Sequence, residues 1–305
     1  MSTRVLRVGT RGSALALAQS GMVADRIAQI AGCAVELVRI RTEGDVNTGP
    51  LATIGGTGVF VTGVRTALLD GRADVIVHSY KDLPTAPADG VTVTAVPARE
   101  NPFDALCARN RLTLDELPAA STVGTGSPRR AAQLLTHRPD LQVVPIRGNV
   151  DTRLRKVTDG DLDAVVLAAA GLNRLGRSDA ITQILDADVM LPAPAQGALA
   201  VETRAGTDDW FTDAVRALDD PATRAAVLAE RVLLRDLEAG CSAPVGAFGQ
   251  VVDGLLTMRA VVVAVGGGDE FRVLRGGPVA DAAALGAAAA AELLTQGAGH
   301  LLGPR

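Results

Sequence analysis

Apolar and polar positions fall into blocks that repeat once along the chain. "RVGTRGSALALAQ" at 7–19 reads as a short strand ending in Val-Gly-Thr, a serine in the N-cap place, then apolar residues at helical spacing. "TVGTGSPRRAAQ" at 122–133 repeats that plan, with Pro128 at the first helical position. A second pair follows in the same order: "DGRADVIVHS" at 70–79 and "DGDLDAVVLA" at 159–168, each a turn feeding an apolar strand. Two such pairs predict two α/β domains built alike, and two copies are too few for a repeat array. The proline-punctuated stretches "AVPARENPFDAL" (95–106) and "MLPAPAQGALAVETR" (190–204) are the expected crossings, so the chain leaves the first domain and later returns to it.

Beyond a helix expected over 220–238 the period changes. "VGAFGQVVDGLLTMRAVVVAVGGGDEFRVLRG" predicts three short strands joined at "VDG" and "GGGD", and an Ala-rich helix follows near 280–296. The expected division is domain 1 over 1–97 and 198–216, domain 2 over 103–191, and a small α+β domain 3 over 220–305.

Hydrophobic residues make up 48% of the chain but aromatics only 2%, so its cores are built from Ala, Val, Leu and Ile. The net charge of −4 argues against a general nucleic-acid binder, which needs a broad positive field. Arginine supplies nearly all cations, since Lys81 and Lys156 are the only lysines, and its planar fork suits carboxylates and phosphates. The opening "MSTRVLRVGTRGS" lacks the apolar stretch of a secretory signal, and no long uncharged apolar run follows, which predicts a cytosolic protein without membrane contact.

Ligands of open α/β sheets sit outside the carboxyl ends of the strands, against helix amino termini. Polar loops stand at such places here: Arg11 and Ser13 after the first strand; Ser79, Lys81 and Asp82 after "VIVH"; Thr125, Ser127, Arg129 and Arg130 at a helix start; Arg147 at a strand end and Arg153 in the helix beyond it. Backbone N–H groups and arginine forks together predict a crevice for a ligand with several carboxylates or phosphates. The competing reading is a set of solvated helix faces paired to nearby acids. No nucleotide fingerprint is present, and "TEGDVNTGPLATIGGTG" (42–58) is expected to be a lid loop.

Asp82 lies in "HSYKDLP", where a carboxylate serves either as a charge-stabilising group or as an ordinary turn residue. His78 is expected in the core, and His137 and His300 at the surface. The three cysteines are far apart, which supports neither a disulfide framework nor a zinc site. Cys33 and Cys107 fit apolar positions, whereas Cys241, in "LEAGCSAPVG", follows a helix end and a glycine and is expected to be accessible as a tether or nucleophile.

The blocks "GTRGSALALAQ", "VHSYKDLP", "GTGSPRRAAQL", "IRGNVDTRL", "LPAPAQGALAVE" and "LEAGCSAPVG" occur in an order and spacing that resemble porphobilinogen deaminase (hydroxymethylbilane synthase), from near residue 5 to about 250. The resemblance implies two similar periplasmic-binding-protein-like α/β domains with a double crossover, plus a small α+β C-terminal domain with a three-stranded antiparallel sheet. It implies a transferase of tetrapyrrole and haem synthesis that joins four porphobilinogen molecules head to tail, releasing ammonia each time. In the family a covalent dipyrromethane cofactor hangs by a thioether from the cysteine matching Cys241. Asp82 matches the catalytic carboxylate, placed to stabilise the azafulvene-like cation left when ammonia departs. Arg11, Arg129, Arg130, Arg147, Arg153 and Arg174 match residues that bind the acetate and propionate side chains. Ser13, Ser79, Lys81, Thr125, Ser127 and Gln196 match residues around the cofactor and growing chain, and Phe60 matches an aromatic over the reacting pyrroles. No metal is implied. The expected enzyme is a monomer that hands its product to uroporphyrinogen-III synthase.

The chain departs from the family at the loop: Thr57 and Val59 stand in the "GGKGLF"-like block, and Gly63 stands where an acid is frequent. None of these touches Asp82 or Cys241. The rival readings are a two-lobed anion-binding protein without catalysis and an enzyme acting on a phosphorylated metabolite; the second leaves Cys241 unexplained.

Overall fold

The structure, a computed structural model, describes residues 4–41, 58–239 and 243–302, with residues 58–60 described by their backbone alone. In chain order the elements are β1 (Val5–Thr10), α1 (Ala14–Ala31), β2 (Ala34–Arg39), α2 (Gly58–Leu69), β3 (Val75–Ser79), β4 (Val91–Ala95), β5 (Asp104–Ala108), β6 (Thr122–Thr125), α3 (Pro128–His137), β7 (Gln142–Pro145), α4 (Val150–Thr158), β8 (Ala164–Ala168), α5 (Ala169–Arg174), β9 (Gln183–Leu185), β10 (Leu199–Arg204), α6 (Thr212–Arg216), α7 (Pro221–Asp236), β11 (Val245–Val252), β12 (Leu255–Val263), β13 (Glu270–Pro278) and α8 (Ala282–Gln296). They gather into two compact units: Met1–Arg99 with Ala198–Arg224, and Glu100–Gly197 with Ala225–Arg305.

The first unit is built on a five-stranded sheet in the order β2-β1-β3-β10-β4. β1 pairs in parallel with β2 and β3, and β10 runs antiparallel to β3 and β4. One face buries Leu6, Val8, Val75 and Val77 against Val23 and Ile27 of α1 and Val215 of α6, and the other buries Ile76 against Val64 and Leu68 of α2. Helix α1 starts where Ser13 Oγ accepts the Ala16 N–H and stops at Gly32, whose φ of +61° closes the helix.

The second unit contains a sheet of matching plan, β7-β6-β8-β5-β9. Again the first three strands are parallel and the fourth is antiparallel to both neighbours. Leu134 of α3 covers one face, and Val157 of α4 with Leu172 of α5 covers the other. The likeness reaches single residues. A Cβ on Gly9 of β1 would lie 2.9 Å from Ile76, and one on Gly124 of β6 would lie 2.6 Å from Leu162, so the glycine of each Val-Gly-Thr is dictated by an apolar side chain crowded against it. Ser127 Oγ caps α3 through the Arg130 N–H as Ser13 caps α1.

The same unit carries the three-stranded antiparallel sheet β11-β12-β13. Asp253 and Gly254 both have positive φ, +49° and +76°, which gives the β11–β12 hairpin the twist of a two-residue primed turn. Helices α7 and α8 cover one face, burying Leu233, Leu293, Leu256, Met258 and Val262 together. The sheet also packs against the helical layer of β5–β9 through Val261 and Val263 with Ala132 and Leu191, and through Phe103 and Phe248, whose rings stand 5.1 Å apart.

Candidate functional site

In the first unit β1 and β3 are adjacent and parallel, so their carboxyl ends bring Arg11–Ser13 beside Ser79–Asp82. Ser79 Oγ accepts from Gln19 Nε2 at 2.9 Å, which ties the end of β3 to the first turns of α1. A 3-10 turn over Tyr80–Asp82 follows, anchored where Tyr80 N–H donates to the Ala198 carbonyl at 3.0 Å. Leu83 is buried against Val61 of α2, while Asp82 itself is exposed and Lys81 and Arg11 are half-buried. Beneath this turn, His78 Nε2 lies 3.2 Å from Glu202 Oε2, and Arg65 of α2 grips the same carboxylate at 2.5 Å. Burial works to raise the Glu202 carboxyl, but the His78 and Arg65 contacts prevail and hold it below the usual range.

In the second unit the ends of β6 and β8 and the start of β5 form the corresponding edge. Thr125 is buried and its Oγ1 accepts the Ser127 N–H at 3.2 Å. Arg129 and Arg130, in the first turn of α3, are buried rather than solvated, and both pair with Asp104, which is fully buried: Arg129 Nη2 to Oδ2 at 2.8 Å and Arg130 Nη2 to Oδ1 at 2.7 Å. Each also donates to a carbonyl, Arg129 Nη1 to Leu191 and Arg130 Nη1 to Val166, and Arg130 Nε adds a second bond to Asp104 Oδ1. Gln196 completes the network, donating from Nε2 to Asp104 Oδ1 and the Pro102 carbonyl, each at 2.8 Å. Desolvation alone would raise the Asp104 carboxyl, yet the two guanidiniums and Gln196 overcome it and bring its pKa to about 2.

Three further arginines belong to this unit, and Arg153 Nη2 comes beside Gly126 of the β6–α3 turn. Arg147, beyond β7, is exposed. Arg153 on α4 donates through Nε to the Gly148 carbonyl at 2.9 Å, and Arg174 at the end of α5 donates through Nη2 to the Gly197 carbonyl at 2.6 Å. Among the described residues neither Arg153 nor Arg174 forms a salt bridge. Burial pulls both guanidiniums below their usual pKa, aided at Arg153 by the Arg130 charge and opposed at Arg174 by Glu100.

Cys241 and the side chain of Phe60 lie outside the described residues, as does most of the expected lid, 42–57. Cys107 is buried among apolar residues, which pushes its thiol up to about 12, and Cys33 is half-buried at the edge of the first core. His137 lies 3.0 Å from Asp115 at the surface. Sequence reasoning passed over Asp104 and Gln19. The sole signal for Asp104 was an acid heading an otherwise apolar strand, "DALCA", and Gln19 reads simply as a polar position on α1. Among the described residues no cluster of His, Cys, Asp or Glu could hold a metal ion, and no helix is long and apolar enough to cross a membrane.

Two family models match in tandem: "Porphobilinogen deaminase, dipyromethane cofactor binding domain" over residues 6–212, and "Porphobilinogen deaminase, C-terminal domain" over 224–295. The chain belongs to the porphobilinogen deaminase family. Relatives include porphobilinogen deaminase 1 of Streptomyces coelicolor, 53% identical over 100% of this chain and 99% of its own length, and porphobilinogen deaminase of Mycobacterium tuberculosis, 52% identical over 98% of each. Similar solved structures include an ABC-transporter periplasmic substrate-binding protein of Coxiella burnetii (17% identity, 74% of this chain and 96% of that one, TM-score 0.44). The methionine-binding protein MetQ is a second (14% identity, 69% and 89%, TM-score 0.44).

The family's dipyrromethane carries acetate and propionate groups, and the donors present fit such a polyanion. Arg153 and Arg174 are cations that burial disfavours; among the described residues neither forms a salt bridge, Glu100 only partly offsets the burial of Arg174, and the buried Nε of Arg174 has no hydrogen-bond partner. A carboxylate group of such a ligand would bring each a counter-charge. Arg129 and Arg130 differ, because Asp104 already balances much of their charge.

Proposed function

We propose that this chain is a hydroxymethylbilane synthase, a transferase that condenses four porphobilinogen molecules head to tail with loss of ammonia. The observation that carries the reading is the end-to-end match to porphobilinogen deaminases at 53% identity. The dipyrromethane is held by a thioether to Cys241 and, when bound, supplies the pyrrole on which the chain is extended. Arg11, Arg147, Arg153 and Arg174 bind the acetates and propionates of cofactor, substrate and growing chain. Arg129 and Arg130 add positive field from beneath, their forks fixed by Asp104. Ser13, Ser79, Lys81, Thr125, Ser127 and Gln196 surround the cofactor and chain, and Phe60 shields the reacting pyrrole.

Asp82 is the catalytic carboxylate. As ammonia leaves the substrate, positive charge spreads from the aminomethyl carbon to the pyrrole nitrogen, and a fixed negative group beside it lowers the barrier. Its place on a short turn between a core strand and the buried Leu83 suits that task, since the backbone is fixed while the carboxylate stays exposed. The reading includes the three-domain division 1–97 with 198–216, 103–191 and 220–305, supported by a separate sheet in each. It also includes a cytosolic monomer that passes its product to uroporphyrinogen-III synthase.

The test is an intact-mass spectrum of freshly purified active protein, with an acidic aldehyde colour reaction beside it. A mass above the sequence by two linked pyrrole units, dipyrromethane colour, and ammonia released as porphobilinogen is consumed are expected. Unmodified mass in active protein would overturn the reading, and ligand binding without ammonia release would leave a binding protein.

A further inference from the structure

Glu230, on α7, has no part in the reaction described above, yet its carboxylate is fully buried and fully committed. Oε2 accepts the Ala195 N–H at 2.5 Å and Oε1 accepts the Gly249 N–H of β11 at 2.7 Å. Ala195 has a φ of +62°, a left-handed conformation that a residue with a Cβ keeps only when its surroundings hold it there. Gln196 comes next, with its side chain on Asp104 and Pro102 and its Oε1 3.5 Å from Arg130 Nη2. Gly197 follows with a φ of +88°, packed so tightly under the Glu100 carbonyl that a Cβ has no room. Gln196 therefore sits between two left-handed residues, and the peptide direction at Ala195 decides where its side chain goes. In sequence, Glu230 precedes Cys241 and Gly249 follows it, so one carboxylate joins the helix before the cysteine, the strand after it, and the turn that carries Gln196.

We propose that Glu230 is a positioning residue that holds Ala195 left-handed, presents Gln196 to the Asp104–Arg130 network, and thereby sets the frame in which the dipyrromethane is loaded. The proposal rests on the cofactor reading given under Proposed function. A carboxylate is required because both oxygens face N–H donors; the amide of glutamine would turn an NH2 group against one of them.

Apoprotein of the wild type, E230Q, A195G and the double variant is incubated with porphobilinogen, and the fraction gaining two pyrrole units is followed by intact mass. Thermal unfolding is recorded in parallel. E230Q is expected to load about tenfold or more slowly, the scale of one lost buried hydrogen bond with its partner left unsatisfied. Glycine adopts a φ of +62° without strain, so A195G in the E230Q background is expected to bring loading back to within about threefold of wild type while leaving the melting temperature lowered. Wild-type loading by E230Q, or a slow E230Q that A195G leaves slow, overturns the proposal. Should E230Q not fold, E230D keeps the carboxylate, withdraws it by one methylene, and is judged by the same two outcomes. A wild type that gains no pyrrole mass overturns the cofactor reading itself, and with it the proposal, before any variant is compared.

Discussion

Asp104 and Arg130 form an ion pair closed to solvent, 2.7 Å from Oδ1 to Nη2, between the start of strand β5 and the first turn of helix α3. Arg129 shares the carboxylate, so these two candidate-site arginines are internally balanced, whereas Arg153 and Arg174 form no salt bridge among the described residues. Substitution should separate them. Arg130→Leu strips a partner from a buried charge and is expected to cost about 3–5 kcal/mol of stability. Arg153→Leu and Arg174→Leu should stay within about 1 kcal/mol of wild type in urea unfolding, because no buried acid is left behind. Both should nonetheless slow cofactor assembly or raise KM. Equal loss of stability in all three variants would show that Arg153 and Arg174 are structural.

The same pair sets an acid limit. Asp104 falls from the usual aspartate value of 3.8 to about 2 in the folded chain, so the unfolded chain takes up the proton first as pH drops. A depressed carboxyl contributes stability that is complete above pH ~4 and lost as pH falls towards ~2, here about 2 kcal/mol. Urea midpoints measured from pH 6 down to 2 should therefore decline more steeply in wild type than in Asp104→Asn, which has no proton to take up at this site. Parallel declines would remove Asp104 from the acid response.

The plan of the fold was legible because its signals are local. Ser13 and Ser127 announce helix starts by type and position, and Gly9 and Gly124 stand in matching Val-Gly-Thr ends. Apolar runs gave the central strands β3 and β8. Edge strands such as β2, with only partial burial along "AVELVR", carry no comparable contrast and were passed over. The polar network was illegible for a different reason. Asp104 meets Arg130 across 26 positions and Gln196 across 92, and Glu230 reaches Ala195 across 35, so each pairing exists only once strands and helices have been brought together. Motif blocks named Gln196, but nothing in its neighbourhood names the acid that orients it.

Thiol chemistry offers a third test. Cys107 is buried among Ala105, Val165 and Leu167, and its thiol is pushed up to about 12, so it is neither accessible nor ionised near neutral pH. Cys107→Ala is expected to carry the cofactor in full. Cys241→Ala should fold and show the bare sequence mass. Iodoacetamide on native apoprotein should label Cys241 and spare Cys107, as read by peptide mapping. A pyrrole adduct retained by Cys241→Ala would move the attachment elsewhere.

Asp82 gives the sharpest separation of chemistry from folding. It is exposed on a three-residue turn whose backbone is fixed by Tyr80 and Leu83, so its side chain contributes little packing. Asparagine preserves the shape and removes the charge. Asp82→Asn should therefore unfold within about 0.5 kcal/mol of wild type, as surface substitutions do. Turnover should fall by about a hundredfold or more, the scale of losing one charge aimed at a developing cation or one proton-transfer group. KM is expected to change little, because the carboxylate acts as ammonia departs rather than as the substrate's own carboxylates are bound. Loading of the cofactor onto apoprotein should slow with turnover if the same bond cleavage underlies both. Turnover near the wild-type rate with normal stability would take Asp82 out of the mechanism, and a collapsed melting temperature would make the turn structural instead.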